Sequence, residues 1–192
     1  MLVRDEILNA IGKGEIIITP FHERSLNPNS YDLHLAPTLF CYKYSKHFDF
    51  KKYREPDDKI TLTSEGLILS SKYFYLACTA EYTETYNHVP EVIGKSSTSR
   101  CSMDAVCGGG FGDLSYIGHW TLALDLKIDT KVYPYMPICQ VHYDPVAPDK
   151  VSISYKETGR YNGKRMKNPE PMAYRPKDNP YWETEEFINL FN

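Results

Sequence analysis

The chain has 192 residues, 42 % of them apolar, and a formal net charge of −3. This length and composition predict one globular domain over residues 1–192 with a substantial core. The negative charge argues against a surface that coats a nucleic-acid polymer, so phosphate recognition should be local. No apolar run approaches the roughly 20 residues of a membrane span. The polar start does not resemble a secretory signal, so we expect a cytoplasmic protein without a membrane partner.

Five cysteines are scattered along the chain without a Cys-x-x-Cys pair: Cys41, Cys78, Cys101, Cys107 and Cys139. The pattern predicts reduced, mostly buried thiols rather than disulfides or a structural zinc site. The His-x-Glu and Pro-Cys-x-x-Cys motifs of zinc-dependent nucleobase deaminases do not occur in the sequence. Any deaminase chemistry is therefore expected to need no zinc.

Short elements follow one another along the chain. Helical spacing of apolar residues predicts a helix over residues 3–14, and a strand follows at 15–19. Alternation from Tyr31 to Leu35 predicts a half-buried strand. The charged stretch 42–66 reads as an exposed loop or hairpin excursion.

Further β-rich segments occupy the second half. Two strands are predicted within residues 66–82, one over residues 120–126 and one over residues 134–143, while a short helix follows Pro180. Many short strands with turn signals and little helix predict an all-β fold with short N- and C-terminal helices.

Residues 94–126 concentrate groups suited to a nucleotide. Hydroxyl and cationic side chains that could hold phosphate oxygens lie together at Lys95, Ser96, Ser97, Thr98, Ser99 and Arg100. Gly108, Gly109 and Gly110 would let a flat ring approach the backbone. Asp113 could accept a hydrogen bond from a sugar, and Tyr116 could stack on a ring. The alternative is a glycine-rich hairpin with a solvated polar loop.

The order of these residues resembles the dCTP deaminase branch of the dUTPase-like superfamily. Gly94–Arg100 matches its second motif, Gly-Arg-Ser-Ser-x-x-Arg, with lysine for the first arginine. Gly110–Leu124 matches the third motif, Gly-x-Ile-Asp-x-x-Phe/Tyr-x-Gly-x-x-Thr-Leu-Glu-Leu, with Gly112 for the isoleucine. The family's deaminase glutamate falls on Ala123. This departure removes the expected general acid/base and should cripple deamination.

Other segments resemble further parts of the family's pattern. Residues 28–35 resemble the family's first motif, Pro-x-Ser-Tyr/Val-Asp-Leu-Arg-Leu, and His34 occupies the position of its arginine. Asp32 there is either a structural strand-end carboxylate or a group near a magnesium triphosphate, and Glu81 is assigned a structural role. Residues 155–165 resemble a tail that closes over the triphosphate, which implies substrate contacts from Tyr155, Arg160 and Lys164. Residues 166–192 lie outside the resemblance.

The resemblance implies a distorted jelly-roll β-barrel that forms a homotrimer with active sites at subunit interfaces. It places Ser96 and Arg100 beside the attacking water and Ser97 beside the phosphates of a deoxycytidine or deoxyuridine triphosphate. Mg²⁺ would be held through the phosphates, without protein side chains as ligands.

Three readings stay open. The chain is a dCTP deaminase impaired at Ala123, a dUTPase-type diphosphatase that uses Asp113 as its base, or a non-catalytic nucleotide-binding or regulatory protein. The reaction products distinguish the first two, and binding without turnover would leave the third.

Overall fold

The computed structural model describes residues 1–44, 47–108, 110–147, 153–176 and 184–191. Within these residues the helices are α1 (Arg4–Gly12), α2 (Ser96–Arg100), α3 (Tyr155–Thr158) and α4 (Glu185–Ile188). The strands are β1 (Ile16–Thr19), β2 (Tyr31–His34), β3 (Thr38–Lys43), β4 (Asp58–Thr61), β5 (Leu67–Leu69), β6 (Tyr73–Cys78), β7 (Tyr82–Thr85), β8 (His88–Gly94), β9 (Met103–Val106), β10 (Ile117–Gly118), β11 (Thr121–Leu126), β12 (Thr130–Val132) and β13 (Pro137–Pro145). No helix of the described part is both long and apolar enough to cross a membrane.

The strands pair into four sheets, and every pairing described is antiparallel. The orders are β1-β7-β10, β4-β3-β6-β11-β9, β12-β5 and β2-β13-β8. This confirms the all-β class with short helices. Hydrogen bonding among the described strands does not join these sheets into one closed barrel.

Strand periodicity determines which residues face the core. In β11, Leu122 and Leu124 are buried, whereas Thr121 and Ala123 lie on the opposite face of the sheet. The alternation predicted from Tyr31 is also observed, because Tyr31 and Leu33 are fully buried in β2. Helix α1 is confirmed as well, and Ile7 and Ala10 are its buried residues.

The charged stretch 42–66 forms part of a hairpin excursion, one of its two predicted forms, because β4 lies within it and pairs antiparallel with β3. The hydroxyl-rich segment after Gly94 forms the short helix α2.

Candidate functional site

The outward face of the five-stranded sheet is the floor of a cavity of about 530 Å³. Thr121 and Ala123 from β11 line it, together with Phe74 and Leu76 from β6 and Tyr42 from β3. The sheet register places Ala123 opposite Leu76 and Tyr42 opposite Phe74. The floor is therefore apolar and sits on hydrogen-bonded strands.

Aromatic rings dominate the cavity lining: Tyr42, Phe48, Phe74, Phe111, Tyr116, Trp120, Tyr155, Tyr161 and Tyr174. Asp113 is the one charged side chain among the described lining residues. Its side chain is exposed, and its backbone carbonyl accepts a hydrogen bond from the Tyr116 N–H at 3.0 Å. Such a cavity suits a flat ring with one hydrogen-bonded polar edge, because aromatic rings favour stacked or edge-on contacts.

Tyr116 and Trp120 form the rigid inner wall. Their ring centroids lie 4.0 Å apart at 27°, and the Trp120 Nε1–H donates to the Thr83 Oγ1 at 2.9 Å. The Tyr116 hydroxyl donates to the His119 carbonyl at 2.9 Å. Burial raises the pKa of this phenol well above its usual range, so Tyr116 is a neutral packing group.

The glycine-rich segment is only partly as predicted. Gly110 has a φ of +81°, in the left-handed region, and its carbonyl accepts the Val92 N–H at 2.7 Å. Gly108 lines the cavity, but its φ is not in that region. Gly109 lies outside the described residues.

The side chains of residues 95–100, which were predicted to bind phosphate, do not line this cavity. In α2, Ser96, Ser97 and Arg100 are exposed. The Lys95 ammonium instead pairs with Asp32 at 2.5 Å, and both side chains are 17 % exposed. Asp32 also accepts from the Asn27 amide at 2.8 Å, which supports its structural reading.

The tail segment reaches the cavity through its aromatic residues. Tyr155 and Tyr161 line it, and the Tyr161 N–H donates to the Tyr155 hydroxyl at 3.2 Å. The Arg160 guanidinium lies 5.8 Å from the Tyr161 ring centroid and donates to the Arg175 carbonyl at 3.1 Å. Lys164 is exposed.

Glu81 occupies a separate buried position. It accepts the His34 N–H at 2.8 Å and pairs with the His34 Nδ1 at 2.5 Å. The hydrogen bond with Glu81 raises the pKa of His34. Glu81 does not line the aromatic cavity; it lines a second cavity together with His34 and His119.

A His and two carboxylates converge elsewhere, on the β8–β13 surface. Glu91, His142 and Asp144 offer ligand atoms within 4.8 Å of one another. Glu91 already pairs with His142 at 3.1 Å, and Asp144 pairs with the amino terminus. This cluster lies outside the aromatic cavity.

Comparison with known proteins identifies the family. The model of dCTP deaminase-like domains matches residues 1–146. The chain belongs to the dCTP deaminase-like family. A "dCTP deaminase, dUMP-forming" of Clostridium botulinum (strain Eklund 17B / Type B) is 41 % identical over 138 residues, which cover 72 % of this chain and 78 % of that protein. A protein of the same name from Leptospira biflexa (strain Patoc 1 / Ames) is 37 % identical over 169 residues, covering 88 % and 94 %.

This chain is also similar in fold to a solved structure. The crystal structure of 2′-deoxycytidine 5′-triphosphate deaminase from Agrobacterium tumefaciens matches with a TM-score of 0.58 and 15 % identity. The match covers 74 % of this dCTP deaminase-like chain and 47 % of that solved chain, so it spans about half of the latter.

Sequence reasoning missed several lining residues. Phe48, Met172 and Tyr174 come from segments that the motifs do not include. Tyr42 begins the stretch 42–66, which is predicted as an exposed loop or hairpin excursion, and Phe74 lies within the predicted strands of residues 66–82. The alternation of aromatic residues on one face of adjacent strands was the one available signal for them.

Proposed function

We propose that this chain binds pyrimidine deoxynucleoside triphosphates and derives from a dCTP deaminase whose deamination step is disabled at Ala123. The observation that carries the proposal is one cavity that combines a lining rich in aromatic rings, a single carboxylate among its described residues, and Ala123. The relatives named dCTP deaminase, dUMP-forming, support the substrate class.

The lining suggests how the nucleoside would bind. The base would stack among the aromatic side chains, near Gly108 and above Ala123. Asp113 would accept a hydrogen bond from the deoxyribose 3′-hydroxyl. Because no cation is present among the described lining residues, the phosphates must find their partners outside the cavity.

Arg160 and Lys164 are the candidate phosphate-binding cations nearest in sequence to Tyr161, which lines the cavity. Mg²⁺ would arrive bound to the triphosphate, since phosphate oxygens and water are its usual ligands. Asp113 is the only carboxylate among the described lining residues, so the donor set does not supply a cage made of protein side chains alone.

We further propose a single jelly-roll domain with a C-terminal extension over residues 166–192, assembled as a homotrimer. The exposed α2 residues Ser96, Ser97 and Arg100 would then complete the cavity of a neighbouring copy. Ile93, Val106 and Phe111 are apolar and 38 %, 48 % and 69 % exposed, which supports an interface in this region.

The missing carboxylate explains the disabled step. Deamination of dCTP needs water to add at C4 of cytosine and ammonia to leave, so a group must take a proton from water and return it to the departing amine. A methyl side chain cannot move protons. General acid/base groups typically contribute about 10²–10⁴-fold, and the loss should be at the upper end because two transfers are affected.

Release of diphosphate is a second candidate activity. Formation of dUMP from dCTP requires two hydrolytic events, loss of ammonia at C4 and loss of diphosphate from the triphosphate. The names of the relatives include this outcome, and Asp113 lies in the cavity as a base that could activate water. This chain would then convert dUTP and water to dUMP and diphosphate.

The test compares the unaltered chain with Ala123→Glu and with Ala123→Gln, which has the volume of glutamate without its acid group. Each is incubated with dCTP or dUTP and Mg²⁺, and the products are separated by chromatography. We expect Ala123→Glu alone to raise ammonia release from dCTP by at least about 10²-fold. Equal rates in all three would contradict the assignment of position 123.

The same assay separates the other readings. Release of diphosphate from dUTP by the unaltered chain would support the diphosphatase reading, and loss of that product in Asp113→Asn would identify Asp113 as its base. Nucleotide binding without either product would leave the non-catalytic reading.

A further inference from the structure

We call residues 165–176 the strap; it contacts the outward face of the five-stranded sheet at Thr121, and its residues Met172 and Tyr174 line the cavity. The strap lies beyond residue 146, where the family model ends. We infer that the strap forms a fixed wall of the cavity, and that Met172 and Tyr174 are specificity-determining residues that set which base the cavity accepts. The inference rests on the proposed nucleotide function for its ligand.

Met166, Met172 and Tyr174 each donate a hydrogen bond from the strap to the rest of the domain. The Met166 N–H donates to the His119 Nε2 at 3.1 Å, and the Met172 N–H donates to the Thr121 Oγ1 at 2.9 Å. The Tyr174 hydroxyl donates to the Phe50 carbonyl at 2.8 Å. Two of the three acceptors belong to residues 119–121, which lead into β11.

The sequence of the strap favours an extended and stiff chain. Pro169 and Pro171 are buried, and each fixes its own φ near −65°. Asn168 and Glu170 precede these prolines and are therefore biased away from helical backbone. Such a segment has little conformational entropy to lose on docking. The pair between Lys59 and Glu170 at 2.6 Å is largely solvated and contributes little.

Docking at Thr121 decides where Met172 lies. Thr121 and Ala123 are two residues apart in β11 and share its outward face. All three residues line the same cavity. At position 123, where the family has a glutamate, this chain has the methyl group of Ala123, and Met172 from the strap lines the same cavity. A thioether adapts to an irregular apolar space, so Met172 would limit the size of the bound ring.

Tyr174 closes the neighbouring side. Its ring meets Phe50 edge-on, with centroids 5.8 Å apart at 86°. The Arg160 guanidinium donates to the carbonyl of Arg175, the next residue. The strap is therefore connected to the segment for which we propose phosphate contacts.

The first test measures docking without any nucleotide, by hydrogen–deuterium exchange of the full chain resolved by mass spectrometry. We expect peptides that contain the Met166 and Met172 amides to exchange at least about tenfold more slowly than an unstructured chain, because both N–H groups are bonded. Thr121→Val should remove protection at residue 172. Exchange at the unstructured rate in the unaltered chain would overturn the inference.

The second test measures base selection as the ratio of the Kd values for dATP and dCTP. Met172→Ala enlarges the cavity, so we expect this variant to gain at least about tenfold in relative affinity for the larger purine, and Tyr174→Ala to shift in the same direction. Met172→Leu keeps the volume and should keep the ratio. Asn168→Ala, an exposed strap residue outside the cavity, is the matched control.

The outcomes separate the two proposals. If the chain binds nucleotides but all variants keep the ratio of the unaltered chain, base selection by the strap is wrong while the proposed function stands. If the chain binds none of these nucleotides, the proposed function fails and base selection fails with it. Docking of the strap is decided by the exchange experiment in either case.

Discussion

Gly112 and Trp120 are complementary in shape. A Cβ atom on Gly112 would lie 2.1 Å from the Trp120 Cη2 and 2.9 Å from the Pro90 Cγ. The backbone of Gly112 is held in place, since its N–H donates to the Pro90 carbonyl at 2.7 Å. The departure from isoleucine in the third motif therefore has a packing cause, because the indole fills the space that a side chain at 112 would need.

Gly112→Ala should lower the free energy of unfolding by about 2–3 kcal/mol, the upper part of the usual cost of overpacking. Urea unfolding measures the loss. Gly108→Ala is the matched control, because a Cβ there meets nothing within 4 Å. In a Trp120→Leu background the cost of Gly112→Ala should shrink, and an undiminished cost would show that the indole is not the cause.

The pair between His34 and Glu81 should make stability depend on pH. The hydrogen bond with Glu81 raises the pKa of His34 above its ordinary 6.5, and the two side chains are 22 % and 5 % exposed. The stabilisation is fully present below the unfolded pKa and is lost as pH rises through the raised folded pKa. His34→Arg, which restores the family's residue, should abolish this dependence between pH 6 and pH 9.

His34→Gln tests the same pair at fixed pH. It leaves the buried Glu81 carboxylate without a cationic partner, and we expect a loss of about 3 kcal/mol at pH 6. Urea unfolding over the pH range follows both variants. An identical pH slope in the unaltered chain and in His34→Arg would show that this histidine does not titrate with folding.

Local patterns predict much of the fold but only part of the site. Helix α1, strand β2 and strand β11 follow from periodicity, because the core takes one face of each. The motifs identify Ala123, Asp113 and Tyr116, which the structure brings into one cavity.

The rest depends on contacts between distant segments. Met172 reaches Thr121 across 51 positions, and the ion pair of Lys95 with Asp32 spans 63. No local pattern reveals such pairs. Lys95 was predicted to bind phosphate, but its ammonium group is paired with Asp32.

Thiol reactivity should differ sharply among the cysteines. Cys101 is exposed, Cys107 is partly buried and Cys78 is buried. Burial raises the pKa of the Cys78 thiol to about 12 and that of the Cys107 thiol to about 11. Because the thiolate is the nucleophile, iodoacetamide at pH 8 should modify Cys101 first and leave Cys78 unmodified. Mass spectrometry of peptides gives each rate.

Cys107 adds a test of the cavity, because it is one of the lining residues. A saturating nucleotide should slow its modification at least about tenfold while leaving Cys101 unaffected as the internal control. Equal slowing of both thiols would point to a general effect of the nucleotide rather than occupation of the cavity.

Arg160 is expected to contribute to the triphosphate and not to the nucleoside. The described lining of the cavity lacks a cation, and the Arg160 guanidinium lies beside Tyr161. Arg160→Ala should weaken dCTP binding by roughly 1–3 kcal/mol, the value of a charge-assisted hydrogen bond, and leave deoxycytidine binding unchanged. Isothermal titration calorimetry measures both ligands. Lys156→Ala, an exposed cation on α3, serves as the control for net charge. Equal losses for the two ligands would show that Arg160 supports the cavity through Arg175 and does not hold phosphate.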